Sequence, residues 1–336
     1  MALLAAPASA VTIGDLVAEV SATRLQEHVE ALEGDRSSVS GRNTARNYIT
    51  DRLQEYGYTT SVDSSGNIVA ELPGATTPDE IYVVGSHFDA VSGTPGADDN
   101  ASGIAGVLEV ARIFSTRSFD ATIRFVGFDQ EEAGLIGSNA YAQSAALAGD
   151  QIALATIFEM IGYTSATQTL LPTGDAGVYG SFSVSEKRQV GDFIGALAAN
   201  DAQLLADFVS AAGLYSSSLP VVTGLLTGDV TNPTTQWLFS DLYRSDHVGF
   251  WLEGYDALLL TDTANFRNPN YHQASDTSST LDYPFMTQVV AGSVGFFADR
   301  AGLVTVVPEP GSGLLLATGL LTLVVAQQRR ARRRRL

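Results

Sequence analysis

The sequence predicts an α/β protein, specifically a three-layer α/β/α sandwich with a mixed, mostly parallel central sheet. Short apolar segments typical of strands alternate with longer segments of helical periodicity along most of the chain. The chain has 336 residues, 45% of them hydrophobic, so it can bury a large core. No linker-like composition interrupts residues 11–305, and we therefore expect a single domain there.

Helical segments are expected before the first strand. Apolar residues between Ile13 and Leu32 recur at helical spacing, and Gly34 is expected to end that helix. A second helix is expected over Asn43–Tyr56, before Gly57.

Strands and helices then alternate, which indicates a sheet covered on both faces. The predicted strands are Asn67–Leu72, Ile81–Ser86, Thr122–Asp129, Ile152–Phe158, Tyr179–Val184 and Ala257–Thr261. The predicted helices are Ser102–Ser115, Ser138–Leu147, Gln189–Val209, Ser245–Leu252 and one within Leu281–Leu303. Ser102 is a candidate N-cap. The pattern over Leu219–Leu226 does not decide between helix and strand.

The overall charge narrows the classes of partner. The formal net charge is −18, which argues against nucleic acid, because phosphate binding requires a basic face. There are no cysteines. Any bound metal must therefore be held by histidine and oxygen ligands.

Both ends of the chain indicate export. Residues 1–10 read as the remnant of a secretory signal, with apolar Leu3–Ala6 before the small residues Ala8-Ser9-Ala10. A disordered Ala-rich terminus is the alternative. Residues 307–336 contain Pro308-Glu309-Pro310, the apolar stretch Gly311–Ala326 and an arginine cluster.

This C-terminal arrangement resembles the PEP-CTERM sorting signal of Gram-negative bacteria. The resemblance implies transient anchoring in the membrane, removal of the tail by an exosortase-type enzyme, and a final location at the cell surface or in the extracellular matrix. The apolar stretch is slightly short for a spanning helix of about 20 residues. An ordinary C-terminal anchor is the alternative, and it would also place the domain outside the cytoplasm.

Histidines and carboxylates follow the predicted strands at their carboxyl ends. In an open α/β sheet, these ends converge on the place where ligands bind. A set of nitrogen and oxygen donors without sulfur suits Zn²⁺, with Mn²⁺ or Co²⁺ as alternatives. The candidate residues are His87, Asp89, Asp99, Glu131, Glu132, Glu159 and His272.

The adjacent glutamates Glu131 and Glu132 suggest a division of roles. Consecutive side chains on an extended segment point in different directions, so one can bind a metal while the other acts as general base. A solvated charge pair is the alternative. Taken alone, His87 is typical of a core histidine rather than of a ligand. We expect a structural role for His247 and an exposed position for His28.

The chain contains His-x-Asp at 87–89, Gly-Ala-Asp-Asp-Asn-Ala-Ser-Gly at 96–103, Glu-Glu-Ala-Gly at 131–134, Glu-Met-Ile-Gly-Tyr at 159–163 and Tyr-His at 271–272. In this order the motifs resemble the co-catalytic zinc aminopeptidases, the twenty-eighth family of metallopeptidases. Many members have Asp where this chain has Glu159. The resemblance also implies a cis peptide after Asp99.

The resemblance implies two zinc ions, peptide substrates and a role for each matching residue. His87 and Glu159 would bind one ion, Glu132 and His272 the other, and Asp99 would bridge them. Glu131 would be the general base for a zinc-activated water. Tyr271 would polarise the scissile carbonyl or stabilise its oxyanion, and Asp89 would orient a ligand. Two alternatives stay open: a single-zinc acyltransferase similar to glutaminyl cyclase, and a non-catalytic surface binding module.

Overall fold

The computed structural model describes residues 10–168, 177–179 and 181–305, and residues Ile13–Val304 form one compact unit. The expected signal remnant, apart from Ala10, and the expected sorting tail at 307–336 lie outside the described residues. Among the helices of the described part, none is both long and apolar enough to cross a bilayer.

One sheet of ten strands forms the centre of this unit. Its spatial order is β1-β2-β4-β3-β5-β10-β8-β9-β7-β6. In chain order the strands are β1 (Thr60–Val62), β2 (Ile68–Leu72), β3 (Thr77–His87), β4 (Ala121–Phe128), β5 (Gln151–Glu159), β6 (Gly177–Tyr179), β7 (Phe182–Val184), β8 (Ile194–Ala199), β9 (Val221–Leu226) and β10 (Ala257–Thr261).

The middle of the sheet is parallel and its margins are largely antiparallel. Strands β4, β3, β5 and β10 pair in parallel with one another, in that order. On one side β2 pairs antiparallel with β4, and β1 pairs antiparallel with β2. On the other side β8 is antiparallel to β10, β9 is parallel to β8, and β7 and β6 follow antiparallel. The carboxyl ends of the four central strands therefore meet at one edge.

Helices cover both faces of the sheet. They are α1 (Ile13–Val17), α2 (Ala22–Leu32), α3 (Val39–Glu55), α4 (Gly103–Phe114), α5 (Ile136–Ala148), α6 (Ala202–Tyr215), α7 (Pro233–Leu238), α8 (His247–Leu252) and α9 (Tyr283–Arg300). Helices α5 and α8 pack together with Ile157 of β5 in one core. Helix α4 lies against the next residue, Phe158, and contacts α2, α3 and α9. Adjacent strand residues thus point to opposite helical layers, as the predicted three-layer fold requires.

Two helix predictions were wrong in extent. The segment Ile13–Leu32 forms α1 and α2 rather than one helix, because Ser21 caps α2 with its hydroxyl and donates its backbone N–H to buried Glu109. The predicted helix Gln189–Val209 is strand β8 followed by α6. Pairing of β8 between β10 and β9 overrides the helical propensity of its Ala and Leu residues.

Two local predictions also need correction. The Ser102 hydroxyl does not cap α4. It donates to the Asp98 carbonyl at 2.7 Å and accepts the Ile161 N–H at 3.0 Å. His28 is buried rather than exposed, with its ring nitrogens 2.7 Å from the Tyr48 hydroxyl and 3.2 Å from the Tyr56 hydroxyl. The undecided Leu219–Leu226 contains β9.

Candidate metal centre and active site

The predicted site residues meet at the carboxyl edge of the central strands. His87 ends β3 and Glu159 ends β5. Glu131 and Glu132 follow β4, and His272 lies in the loop after β10. These residues come together because parallel strands deliver their carboxyl ends to the same edge.

The first group of side chains surrounds the imidazole of His87, which is 1% exposed. Its Nε2 atom lies 3.4 Å from an oxygen of Glu159 and 3.4 Å from Oδ1 of Asp99. Glu131 is the most distant of the three carboxylates, with Oε2 4.0 Å from the same nitrogen.

The second group surrounds His272. Its Nε2 atom lies 3.1 Å from Oδ2 of Asp99 and 3.4 Å from Oε2 of Glu132. The two oxygens of Asp99 therefore face different histidines, and this carboxylate stands between the two groups.

Both groups fit divalent cations. The Nε2 atoms of His87 and His272 make no hydrogen bond of acceptable geometry within the described structure, despite the nearby carboxylates, and neither does Oε1 of Glu132. Buried polar atoms are normally satisfied, so unpartnered ligand atoms that converge point to a cation. Ligand atoms of His87, Glu131 and Glu159, and likewise those of Asp99, Glu132 and His272, lie within 4.8 Å of one another. Imidazole and carboxylate donors suit zinc.

Asp89 explains how the two adjacent glutamates are held. Its buried carboxylate accepts the backbone N–H of Glu131 at 3.0 Å and that of Glu132 at 3.2 Å. One of its oxygens also lies 3.4 Å from Nδ1 of His87. The side chain of Asp89 thus links the His87 imidazole to the loop that carries Glu131 and Glu132. This position suits the orienting role expected for Asp89.

Asp276 and Asn100 support the Asp99 loop. Asn100 belongs to the motif at 96–103, whereas no sequence pattern selected Asp276. The carboxylate of Asp276 accepts the backbone N–H of Asp98 at 2.9 Å and that of Asp99 at 3.1 Å. The Asn100 amide donates to the Phe158 carbonyl at 2.9 Å. The peptide between Asp99 and Asn100 is cis, as the resemblance implied.

Arg36 is a further supporting residue that sequence patterns did not indicate. Its side chain is buried and donates to the carbonyls of Phe88, Pro95 and Gly96 at 2.8, 2.9 and 2.6 Å, and also to Leu32. The guanidinium therefore connects the end of α2 to the segments that carry His87 and Asp99. Its positive charge also lies near the carboxylates of Asp99, Asp276, Asp89 and Glu132.

The electrostatics of the site couple the carboxylates to the histidines. Burial raises the pKa of Glu131 well above its usual value, and the nearby Glu159 carboxylate adds to the shift while His87 opposes it. Burial would lower the pKa of His87, but Glu159 and Glu131 outweigh it and raise that pKa. A carboxyl group whose environment disfavours its charge has the raised proton affinity that a general base needs.

The segment before and within α8 borders the site. The hydroxyl of Ser245 donates to Oε2 of Glu159 at 2.7 Å. The neighbouring Asp246 is fully buried, and burial raises its pKa to about 7. His247 is also buried, with Nε2 2.9 Å from the Leu242 carbonyl and its ring edge-on to Trp251. These contacts agree with the structural role expected for His247.

An apolar cavity of about 350 Å³ opens beside Glu159. Its walls come from strands β7 to β10 and from the segment that follows β9, and Tyr271 lies at its edge. Strands β8 and β9, which the sequence patterns did not assign as strands, therefore build a large part of this cavity. Residues such as Phe182, Phe193 and Leu197 give it an apolar lining.

Comparison with known proteins gives a matching family profile and a similar protein. The profile of peptidase family M28 matches residues 67–211, a range that includes His87, Asp99, Glu131, Glu132 and Glu159. The uncharacterised protein YfbL of Escherichia coli is 32% identical over 238 residues, which cover 68% of this chain and 69% of YfbL.

The chain belongs to peptidase family M28.

Membership of family M28 confirms the expected class of enzyme, a metal-dependent peptidase. The PEP-CTERM protein-sorting motif matches residues 306–330 and confirms the expected sorting signal. A probable leucine aminopeptidase of Arthroderma otae is 26% identical over 296 residues, 84% of this chain and 65% of that protein. This M28 chain thus spans about two thirds of the length of these two relatives.

The fold agrees with the family. The aminopeptidase from Aneurinibacillus sp. strain AM-1 superposes with a TM-score of 0.66 at 16% identity, over 90% of this M28 chain and 99% of that chain. The expected α/β sandwich is therefore confirmed.

Proposed function

We propose that this M28 protein is an aminopeptidase that holds two zinc ions and removes N-terminal residues from peptides. The position of Asp99 between His87 and His272 carries the proposal. In this assignment His87 and Glu159 would hold one ion, Glu132 and His272 would hold the other, and Asp99 would offer one oxygen to each. Glu131 remains free to act as the base because it lies farthest from His87 among the three neighbouring carboxylates.

The bound ions would supply Lewis acidity, polarising the scissile carbonyl and acidifying water. Glu131 takes the proton from the attacking water, and the same carboxyl group later gives it to the leaving amine. Tyr271, stacked on His272 with ring centroids 3.8 Å apart, donates a hydrogen bond to the oxygen that gains negative charge.

The surroundings of Glu159 favour an exopeptidase. Glu159 lines the apolar cavity, and Glu131 lies with it beside Nε2 of His87, so these carboxylates attract the protonated amino group at the start of a peptide. The cavity itself receives the first side chain. Its apolar lining favours large uncharged residues at that position.

The single-zinc alternative, a glutaminyl cyclase-like acyltransferase, would use only one of the two ligand groups. Convergence of unpartnered ligand atoms in both groups supports the two-metal peptidase instead. A non-catalytic binding module would have no use for a buried carboxyl group beside the ligands, and Glu131 argues against it.

We further propose that the chain is divided into a signal remnant at 1–10, the catalytic domain at 11–305 and a sorting tail at 307–336. The tail anchors the exported protein in the membrane until an exosortase-type enzyme removes it at the surface of a Gram-negative cell. Mass spectrometry of the protein released from the cells tests this point. A mature C-terminus near Pro308 is expected, and retention of the arginine cluster would contradict it.

The test of catalysis is hydrolysis of a panel of aminoacyl-anilides by the full chain. Wild type is expected to be active, to lose activity with a chelator and to regain it with Zn²⁺. Glu131→Gln is expected to bind zinc normally but to lose about 10²–10⁴-fold in kcat. The exposed Glu253→Gln variant is the matched control. Equal activity of wild type and Glu131→Gln, or indifference to chelation, would contradict the mechanism.

A further inference from the structure

Arg244 makes a direct contact with Tyr271 at the edge of the site. Its guanidinium donates to the Tyr271 hydroxyl oxygen at 2.8 Å. It also donates to side-chain oxygens of Asp241 at 3.0 Å and Asn265 at 3.1 Å. The charged carbon lies 5.6 Å from the centroid of the Tyr271 ring. Three neighbours thus fix the guanidinium, although 41% of the side chain is exposed.

The chemistry of this contact determines where the tyrosine proton can go. A guanidinium carries N–H donors and has no acceptor, so the phenol oxygen must accept from Arg244. The single proton of the phenol is then left for another acceptor. Within the described part of the chain, the Tyr271 hydroxyl makes no other hydrogen bond.

The ring of Tyr271 is held toward the metal ligands. It stacks on the imidazole of His272 at an interplanar angle of 20°, and it borders the cavity together with Glu159. The phenol proton that Arg244 leaves free is therefore available to a group that binds in the cavity beside His272 and Glu159. In the proposed function, the scissile carbonyl occupies this space.

We propose that Arg244 is a positioning residue that commits the Tyr271 hydroxyl to donate its proton to the carbonyl oxygen of the substrate. The inference rests on the proposed peptidase function and extends it to a residue of the cavity wall that is not a proposed metal ligand. The guanidinium also makes the phenol a better donor, because it stabilises the negative charge that the phenol oxygen gains as its proton is shared with an acceptor.

This arrangement acts on the transition state. The carbonyl oxygen gains charge only as the water attacks, so a donor aimed at it stabilises the transition state more than the bound substrate. Loss of Arg244 should therefore lower kcat and leave KM nearly unchanged.

A double-mutant cycle tests the proposal. We expect Arg244→Met to lower kcat for a leucine anilide by about 10-fold and Tyr271→Phe by about 10²-fold. The double variant should be no slower than Tyr271→Phe, because Arg244 acts through the hydroxyl that this variant lacks. Arg244→Lys should recover part of kcat, since an ammonium group can also donate to the phenol.

Arg300→Met is the matched control. Arg300 is also partly exposed, pairs with Asp207 and lies over the ring of Phe296, but it belongs to the end of α9. Its kcat should equal that of wild type.

Three results would overturn the proposal. Independent, multiplicative losses in the double variant would show that Arg244 does not act through Tyr271. An increase in KM alone would make Arg244 a substrate-binding residue. An unchanged position of the Tyr271 hydroxyl in a crystal structure of Arg244→Met would remove the positioning role, whatever the activity. Failure of the peptidase function itself would look different, because wild type would then hydrolyse no anilide.

Discussion

The backbone N–H of Glu131 donates to the carboxylate of Asp89 across 3.0 Å, which links the end of β3 to the loop after β4. The other oxygen of Asp89 accepts the N–H of Glu132. The proposed base and a proposed metal ligand are therefore positioned by the same side chain, and the first prediction concerns this side chain.

Asp89→Asn should weaken zinc binding by about 10–100-fold, the usual effect of losing a partner that orients metal ligands. An amide offers one acceptor oxygen where the carboxylate offers two, so one of the two backbone N–H groups loses its partner. Competition with a fluorescent zinc chelator measures the affinity. The exposed Asp79→Asn variant is the control, and an affinity equal to that of the control would contradict the prediction.

Zinc titration of the metal-free protein should end at two equivalents per chain. His272→Ala should reduce the endpoint to one, because it removes a ligand of one group and leaves His87 in place. Asp99→Asn should weaken both sites, because each oxygen of Asp99 faces a different histidine. Isothermal calorimetry gives the stoichiometry. An endpoint of one equivalent for wild type would favour the single-zinc alternative.

Arg36→Met should lower the free energy of unfolding by on the order of 3 kcal/mol, because it leaves several buried carbonyls without a donor. The free energy of unfolding of Arg36→Lys should lie between those of wild type and Arg36→Met, since an ammonium group supplies fewer donors than a guanidinium. Urea unfolding measures both changes. A stability of Arg36→Met within 1 kcal/mol of wild type (roughly the value of a single hydrogen bond) would show that water replaces the guanidinium.

Acid should destabilise the fold through His28. Burial, with help from Arg52, Arg24 and Arg112, lowers the pKa of His28 from 6.5 to about 4. Because the pKa of His28 is lower in the folded state, the neutral imidazole contributes fully to the free energy of unfolding above pH 6.5. This contribution is lost as the pH falls toward 4. Between pH 6.5 and 4 His28 is protonated in the unfolded chain but still neutral in the folded one. The free energy of unfolding therefore falls by about 3 kcal/mol over this range.

His28→Gln removes this titration. Its free energy of unfolding should therefore fall less than that of wild type between pH 6.5 and 4, when both are measured by urea unfolding. Parallel pH profiles for the two proteins would contradict the depressed pKa of His28.

Much of the site could be predicted because its signals are local in sequence. His87, Glu131 and Glu159 each stand directly at or after a strand, and the parallel topology brings strand ends together without knowledge of side-chain packing. The motif order added the family and its metal chemistry. The individual ligand roles stay predictions that the metal titrations test.

The supporting residues could not be predicted because their partners are distant in sequence. Asp276 contacts the Asp99 loop and Arg36 contacts Phe88 and Gly96 only after the chain has folded. An isolated Arg or Asp has no periodicity or spacing to distinguish it from a surface residue. The same reason applies to β8, whose Ala-rich sequence is a strand because of its neighbours in the sheet.

The distribution of the ligands along the chain also determines when the protein can become active. Asp99 faces a histidine that is synthesised late, in the loop after the last central strand. A chain still emerging from the ribosome, or passing unfolded through an export channel, holds His87 and Glu159 but lacks the partner for Glu132. Under the proposed ligand assignment, the complete site therefore forms only after nearly the whole domain has been made and folded.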